Sequence, residues 1–355
     1  MDLLPFLKRL CEAPGLSGHE APVRALIQES WAPLADEVSI DQLGNLRALK
    51  RGAGPPGASR KTIMLACHMD AIGLMVTQVQ QGFLRVTRVG GIDVRVLPGQ
   101  PVTVHASRSR IDLPGMVVQP PKALLPEGQG DGVVALEHLL VDVGLEADQV
   151  REQVRVGDLV SFAAEAVELG GDLLAGHSLD NRASVAGVTI ALEALQGRPH
   201  TWDVVAVATA QEEVTLGGAR TSAFGLRPDI AVVIDVTWGA GSGLPEHKTF
   251  KVGEGVTIGW GPNIHPALHH ALAEAARQNE IPFKLEPIAQ HSGTDAFAIQ
   301  VAGRGIPSVV LFIPLKNMHT AVEVVSLNDV RRAGRLLAEF IAGLGDEFLR
   351  DLKWD

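Results

Sequence analysis

Acids and imidazoles gather at the ends of apolar runs in this chain, where they could hold metal ions and activate water. Asp203 to Ala210 and Ile230 to Val236 are nearly pure apolar runs; the first leads into Gln211-Glu212-Glu213 and the second carries Asp235. Thr62 to Cys67 ends in His68-Met69-Asp70, and Ile306 to Ile313 is followed by Met318-His319. Runs of this kind mark strands covered on both faces. Open parallel sheets bind ligands outside the carboxyl ends of their strands. His68, Glu212, Glu213, Asp235 and His319 would then share one sheet edge.

Taken singly, each residue has a plainer reading. Asp180 can cap a helix, Asp235 can end a strand, His319 can be a loop histidine, and Glu212-Glu213 can be an acidic pair welcomed by a helix dipole. Residues i and i+2 of a strand point to one face, so Asp70 can accept a proton from the second ring nitrogen of His68, which fixes a ligand tautomer. Glu212 and Glu213 are adjacent and diverge, so they suit two roles, one as a metal ligand and the other as a base. Carboxylates and two imidazoles converging on one edge do not readily stay ionised without cations. Mixed His/Asp/Glu ligation with no Cys suits zinc, cobalt or manganese.

The elements that must position these groups read as α/β. Leu3, Leu4, Phe6, Leu7 and Leu10 give an amphipathic helix, and Ser17-Gly-His-Glu20 reads as a capping box before a helix through Trp31. Gly52 to Ser59 is a Gly/Pro-rich turn. From 71 to 170 the texture changes to short alternating strands punctuated by glycine and proline, with one helix expected near 132 to 144. The α/β texture returns afterwards, so the expected organisation is a discontinuous domain, 1–70 and 171–355, with a β-rich insertion at 71–170. His269 and His270 fall on a helix begun by His265-Pro266 and are expected at the surface.

Composition bounds the function. A chain of 355 residues, 46% hydrophobic and 20% charged, buries a sizeable core. Its net charge of −10 argues against nucleic acid or an anionic membrane as partner. No stretch is apolar enough to span a bilayer, the first residues lack the features of a signal peptide, and Cys11 and Cys67 have no disulfide or metal spacing. A cytoplasmic protein is expected.

In His68-Met-Asp-Ala-Ile-Gly73, Leu179-Asp-Asn-Arg182, Gln211-Glu-Glu-Val214, Val233-Ile-Asp-Val236, Gly293-Thr-Asp-Ala296 and Met318-His-Thr-Ala-Val-Glu323 the chain resembles metallopeptidase family forty-two. These are the tetrahedral, glutamyl and deblocking aminopeptidases. The resemblance covers most of the chain in order. It implies a mixed, mostly parallel sheet with helices on both faces, and a small barrel-like insertion used for dimerisation. It also implies that His68, Asp180 and Asp235 hold one divalent ion, that Asp180 bridges to a second completed by Glu213 and His319, and that zinc is the leading metal. Glu212 would be the general base acting on a metal-activated water, with Asp70 the supporting acid beside His68. The implied substrates are short peptides, and the implied assembly is a tetrahedral homododecamer built from dimers.

His291 and Asp295 are candidates for substrate contact. The residues Ala71, Asn181, Thr215 and Gly217 depart from the usual family pattern without removing a ligand or the base. Two rival activities share parts of this logic. A two-metal carboxypeptidase or deacylase would need a basic pocket for a substrate carboxylate. A glycoside hydrolase of endoglucanase type would use Glu212 with a second acid but leave His68 and His319 without a role.

Overall fold

Four apolar runs become the parallel centre of a large sheet. In the computed structural model, which describes residues 1–53, 60–127, 132–241, 243–350 and 352–354, Asp203–Thr209, Thr62–His68, Ile230–Trp238 and Ser308–Lys316 lie side by side and parallel. All residues of Ile230–Trp238 except the last are buried, as expected for a strand covered on both faces. Antiparallel strands flank this centre, Leu46–Lys50 and Glu37–Ile40 beyond Asp203–Thr209, then Glu323–Ser326, Leu173–Gly176 and Val167–Leu169 beyond Ser308–Lys316. Val256–Trp260 also pairs with Ser308–Lys316 and carries Phe283–Pro287 outward. The sheet is therefore mixed, with parallel strands where the site lies.

Two groups of helices pack on it. Leu179–Ala194, Leu327–Gly343, Pro266–Gln278 and Leu3–Glu12 form one, and Gly217–Leu226 with Asp295–Gln300 the other. Leu179–Ala194 is buried along nearly its whole length. Leu327–Gly343, capped by the Ser326 hydroxyl on the Asp329 amide, is amphipathic and covers it. The two cross closely at Gly334, where a Cβ would lie 2.5 Å from the Gly187 carbonyl oxygen.

Gly73–Gln80, Phe83–Val89, Leu140–Asp142, Ile111–Val118, Pro101–Ala106 and Leu159–Phe162 close into a barrel with its own apolar core. Val167–Leu169 falls within the 71–170 range of the insertion yet joins the large sheet, so the barrel strands end at Phe162.

Two expectations are corrected. The helix expected near 132–144 is a short turn, Leu136–His138, followed by the barrel strand Leu140–Asp142; a short apolar run does not distinguish the two by periodicity. The true helix, Ala147–Gln153, follows under a capping box from Glu146 and Gln149. Ser17 to Glu20 is not a capping box: the helix Ala21–Trp31 has no side-chain cap, and Ser17 and Glu20 turn toward the sheet edge instead. Residues 54–59 of the Gly/Pro-rich turn lie outside the described residues.

Candidate metal centre and catalytic cavity

The parallel strands deliver their polar ends to one level. Val233 pairs with Ala66, so Asp235 comes level with His68 two residues on, and the His68 Nε2 lies 3.8 Å from the Asp235 Oδ1. Thr209 pairs with His68. Gln211 then takes a left-handed backbone (φ 60°) that turns the chain into the short helix Glu212–Thr215. Asp180 comes from the other side, at the entrance of Leu179–Ala194, where its dihedrals are not yet helical and its peptide bond to Asn181 is cis.

Asp180 is the hub. Its Oδ1 lies 3.1 Å from the His68 Nε2, and its Oδ2 lies 3.5 Å from the His319 Nε2. The Glu213 Oε2 is 3.7 Å from the same His319 nitrogen. The donors thus form two triplets sharing Asp180: His68, Asp180 and Asp235, then Asp180, Glu213 and His319, with the donor atoms of each within 4.8 Å of one another. Glu212 stands in neither triplet; its Oε2 is 3.8 Å from the His68 Nε2. All six residues line a cavity of about 500 Å³.

Asp70 works beneath this surface. The His68 Nδ1 is 3.2 Å from the Asp70 carbonyl oxygen and 3.5 Å from its carboxylate. That carboxylate also accepts the Ser17 hydroxyl at 2.5 Å and the backbone amides of Glu212 and Glu213 at 3.0 and 3.2 Å. One buried acid therefore ties the imidazole strand to the Glu212-Glu213 turn.

The electrostatics leave the centre short of positive charge. Burial pushes Glu212 well above the ordinary carboxylate range, with His68 opposing and Asp235 adding to the rise. Burial does the same to Glu213, reinforced by Asp180, and to Asp235, where His68 opposes and Asp180 adds. Asp180 is held below its ordinary value: burial works against this, but hydrogen bonds from His319 and His68 win. Among the described residues the ion pairs of these acids run only to His68 and His319. Several buried carboxylates against two imidazoles is the arrangement that divalent cations complete. The O/N donor set with an acid shared between triplets fits two such ions.

The two candidates for substrate contact separate. Asp295 is buried and absent from the cavity lining; its Oδ2 accepts the Thr209 hydroxyl at 2.5 Å, and burial raises its carboxyl to about 6. His291 does line the cavity, stacked on Phe297 with ring centroids 3.6 Å apart. His177 is buried beside Ser178, its ring pushed down to about 3 by burial and by Arg182. His269, expected at the surface, is buried with its Nδ1 2.8 Å from the Gly259 carbonyl, because its helix face turns toward Val256–Trp260. Cys67 is buried in the core.

Sequence reasoning gave no role to three contributors. Glu323 is buried and accepts the amides of Asp180 at 3.0 Å and His319 at 2.9 Å, so it positions one member common to both triplets and one member of the second. The signal was its place at the end of the Met318 to Glu323 motif. Gly90 and Gly91, leaving the barrel strand Phe83–Val89, approach so closely that a Cβ would lie 3.3 Å from the Glu213 Cβ and 2.9 Å from the His319 ring, respectively. Glu286 is the third, held at the cavity wall by two threonines.

A mixed α/β sheet with acids and imidazoles clustered at its carboxyl edge, and a barrel beside them, is the architecture of a metal-dependent hydrolase. The sequence profile of the M42 glutamyl aminopeptidases matches residues 44–336. The chain is 33% identical over 330 residues to the lysyl aminopeptidase of Pyrococcus furiosus, covering 92% of each. Among solved structures it is similar to a TET aminopeptidase from a marine sediment archaeon of the Thaumarchaeota, with a TM-score of 0.90 at 30% identity over 99% of this chain and 100% of the other. It is also similar to the Pyrococcus horikoshii TET1 peptidase, which can assemble into a tetrahedron or a large octahedral shell. Here the TM-score is 0.84 at 28% identity, covering 97% and 100%. The chain belongs to the M42 aminopeptidase family. It is a hydrolase of peptide bonds that acts as an aminopeptidase, and the family together with the donor cluster makes it metal-binding.

Proposed function

We propose that the protein removes single residues from the N-termini of short peptides at a two-metal centre. His68, Asp180 and Asp235 would hold one ion, and Asp180, Glu213 and His319 the other. The observation that carries this reading is the division of Asp180, one oxygen toward each imidazole. When bound, the ions supply Lewis acidity and lower the pKa of water. The protein supplies the proton handling: Glu212, outside both triplets and facing the cavity, takes the proton of the attacking water and returns it to the leaving amine. Asp70 orients His68 and holds the Glu212 amide. Zinc is the metal we favour, with cobalt or manganese compatible with the same donors.

The rival readings lose support at the cavity wall. No lysine or arginine lines it among the described residues, so a substrate carboxylate of the carboxypeptidase type has no partner there. A glycosidase pair would leave the shared carboxylate and two imidazoles idle. Assembly as a dodecamer through the barrel, and a cytoplasmic location, belong to the same proposal; likeness to a shell-forming peptidase supports the first and two free, buried thiols agree with the second. No helix among the described residues is long and apolar enough to cross a membrane. The test is a panel of aminoacyl reporters with protein reconstituted separately with zinc, cobalt and manganese. Release of the N-terminal residue, abolished by a chelator, is expected.

A further inference from the structure

We propose that Glu286 makes this cavity selective for a basic N-terminal side chain, lysine or arginine. The inference rests on the aminopeptidase reading and adds the substrate class that the family name leaves open.

Glu286 is on Phe283–Pro287, outside the four parallel strands, and belongs to neither metal triplet. The Thr237 hydroxyl donates to its Oε1 at 2.7 Å and the Thr257 hydroxyl donates to its Oε2. Both threonines are buried, so the carboxylate is fixed in one orientation against the cavity. Thr237 follows Asp235 by two residues, so both face the same side of the strand. Their spacing, about 7 Å for two extended residues, is comparable to the reach of a lysine or arginine side chain from a peptide seated at the donor cluster. Ile288 and Phe312 line the same cavity and offer apolar wall to the aliphatic stem of such a side chain.

The charge on the wall is one-sided. Among the described residues the cavity has no lysine or arginine, and the donors to Glu286 are the uncharged Thr237 and Thr257 hydroxyls. Burial pushes the Glu286 carboxyl above its ordinary range despite the two hydroxyls that hold it down. An incoming ammonium or guanidinium supplies the missing counter-charge at Glu286, whereas an acidic side chain brought to the same carboxylate is repelled.

The experiment compares kcat/KM for lysyl, arginyl, leucyl and glutamyl reporters with metal-reconstituted wild-type protein, Glu286→Gln and Glu286→Asp. Wild type should rank lysyl and arginyl first and glutamyl last. Glu286→Gln should lower the lysyl-to-leucyl ratio by about a hundredfold, mostly through KM, and Glu286→Asp should fall between. Calorimetry on a Glu212→Gln background should show the same order in Kd for lysyl and leucyl dipeptides. A wild-type enzyme that favours leucyl or glutamyl substrates, or a ratio unmoved in Glu286→Gln, overturns the assignment. Turnover of no aminoacyl reporter overturns the aminopeptidase reading and this inference with it.

Discussion

Asp180 and Glu323 carry the centre at the scale of single residues. Asp180 offers one oxygen to each imidazole, while Glu323 holds the amides of Asp180 and His319 from behind. Removing that acid leaves two N–H groups without their acceptor and frees Asp180 and His319, both proposed ligands, to rotate. Glu323→Ala should therefore weaken metal binding by about 10- to 100-fold, read by titration of the metal-free protein. Unchanged affinity would show that Glu323 has no hold on the ligands. The acids at strand ends were legible in the sequence because an apolar run ending in a carboxylate or histidine points to a sheet's carboxyl edge. The sharing of Asp180 was legible only through resemblance, since no local pattern says which two distant imidazoles one carboxylate will meet. Glu286 was invisible for the same reason, since its partners are threonine hydroxyls 29 and 49 residues away, and only the place of Glu323 in the Met318 to Glu323 motif hinted at its hold on the distant Asp180 amide.

Elements set how accurately those residues arrive. Leu179–Ala194 brings Asp180 to the edge, and its seat depends on the crossing with Leu327–Gly343. A Cβ on Gly334 would lie 2.5 Å from the Gly187 carbonyl oxygen and 2.6 Å from the Ile190 Cβ, whereas a Cβ on Gly187 would find its nearest atom at 3.7 Å. Gly334→Ala should destabilise the fold by about 1–3 kcal/mol through overpacking. Gly187→Ala should be neutral or gain up to about 1 kcal/mol from helix propensity. Denaturant unfolding of the pair decides this, and equal effects would contradict the crossing geometry. All four parallel strands were readable from their apolar runs. The Ser17 to Glu20 segment was misread because a hydroxyl and an acid three residues apart look the same whether they cap a helix or serve a site. Here Ser17 binds Asp70 and Glu20 accepts the Gln211 amide, so the segment braces the Glu212-Glu213 turn.

For the whole molecule, the barrel and the site are mechanically joined. Gly90 and Gly91 leave the barrel to pack on Glu213 and His319, so ordering of the second donor triplet depends on how the barrel is seated. The buried acids also couple metal to stability: ions that bind the folded chain and not the unfolded one stabilise it by mass action. Chelation should lower the thermal midpoint by several degrees, with recovery on adding zinc, cobalt or manganese; a midpoint indifferent to chelator would mean that the acids need no cation. Sedimentation should give a particle of about twelve times the 37.6 kDa chain mass, and a monomer at working concentration would remove the proposed assembly.

Glu212 is proposed to move the proton while its neighbours hold the metals. Its most direct test measures turnover and bound metal together in reconstituted wild-type and Glu212→Gln protein. Equal metal content is expected in the two proteins, with a kcat lowered by about 10²- to 10⁴-fold in Glu212→Gln. Turnover retained in Glu212→Gln at full metal content would contradict it.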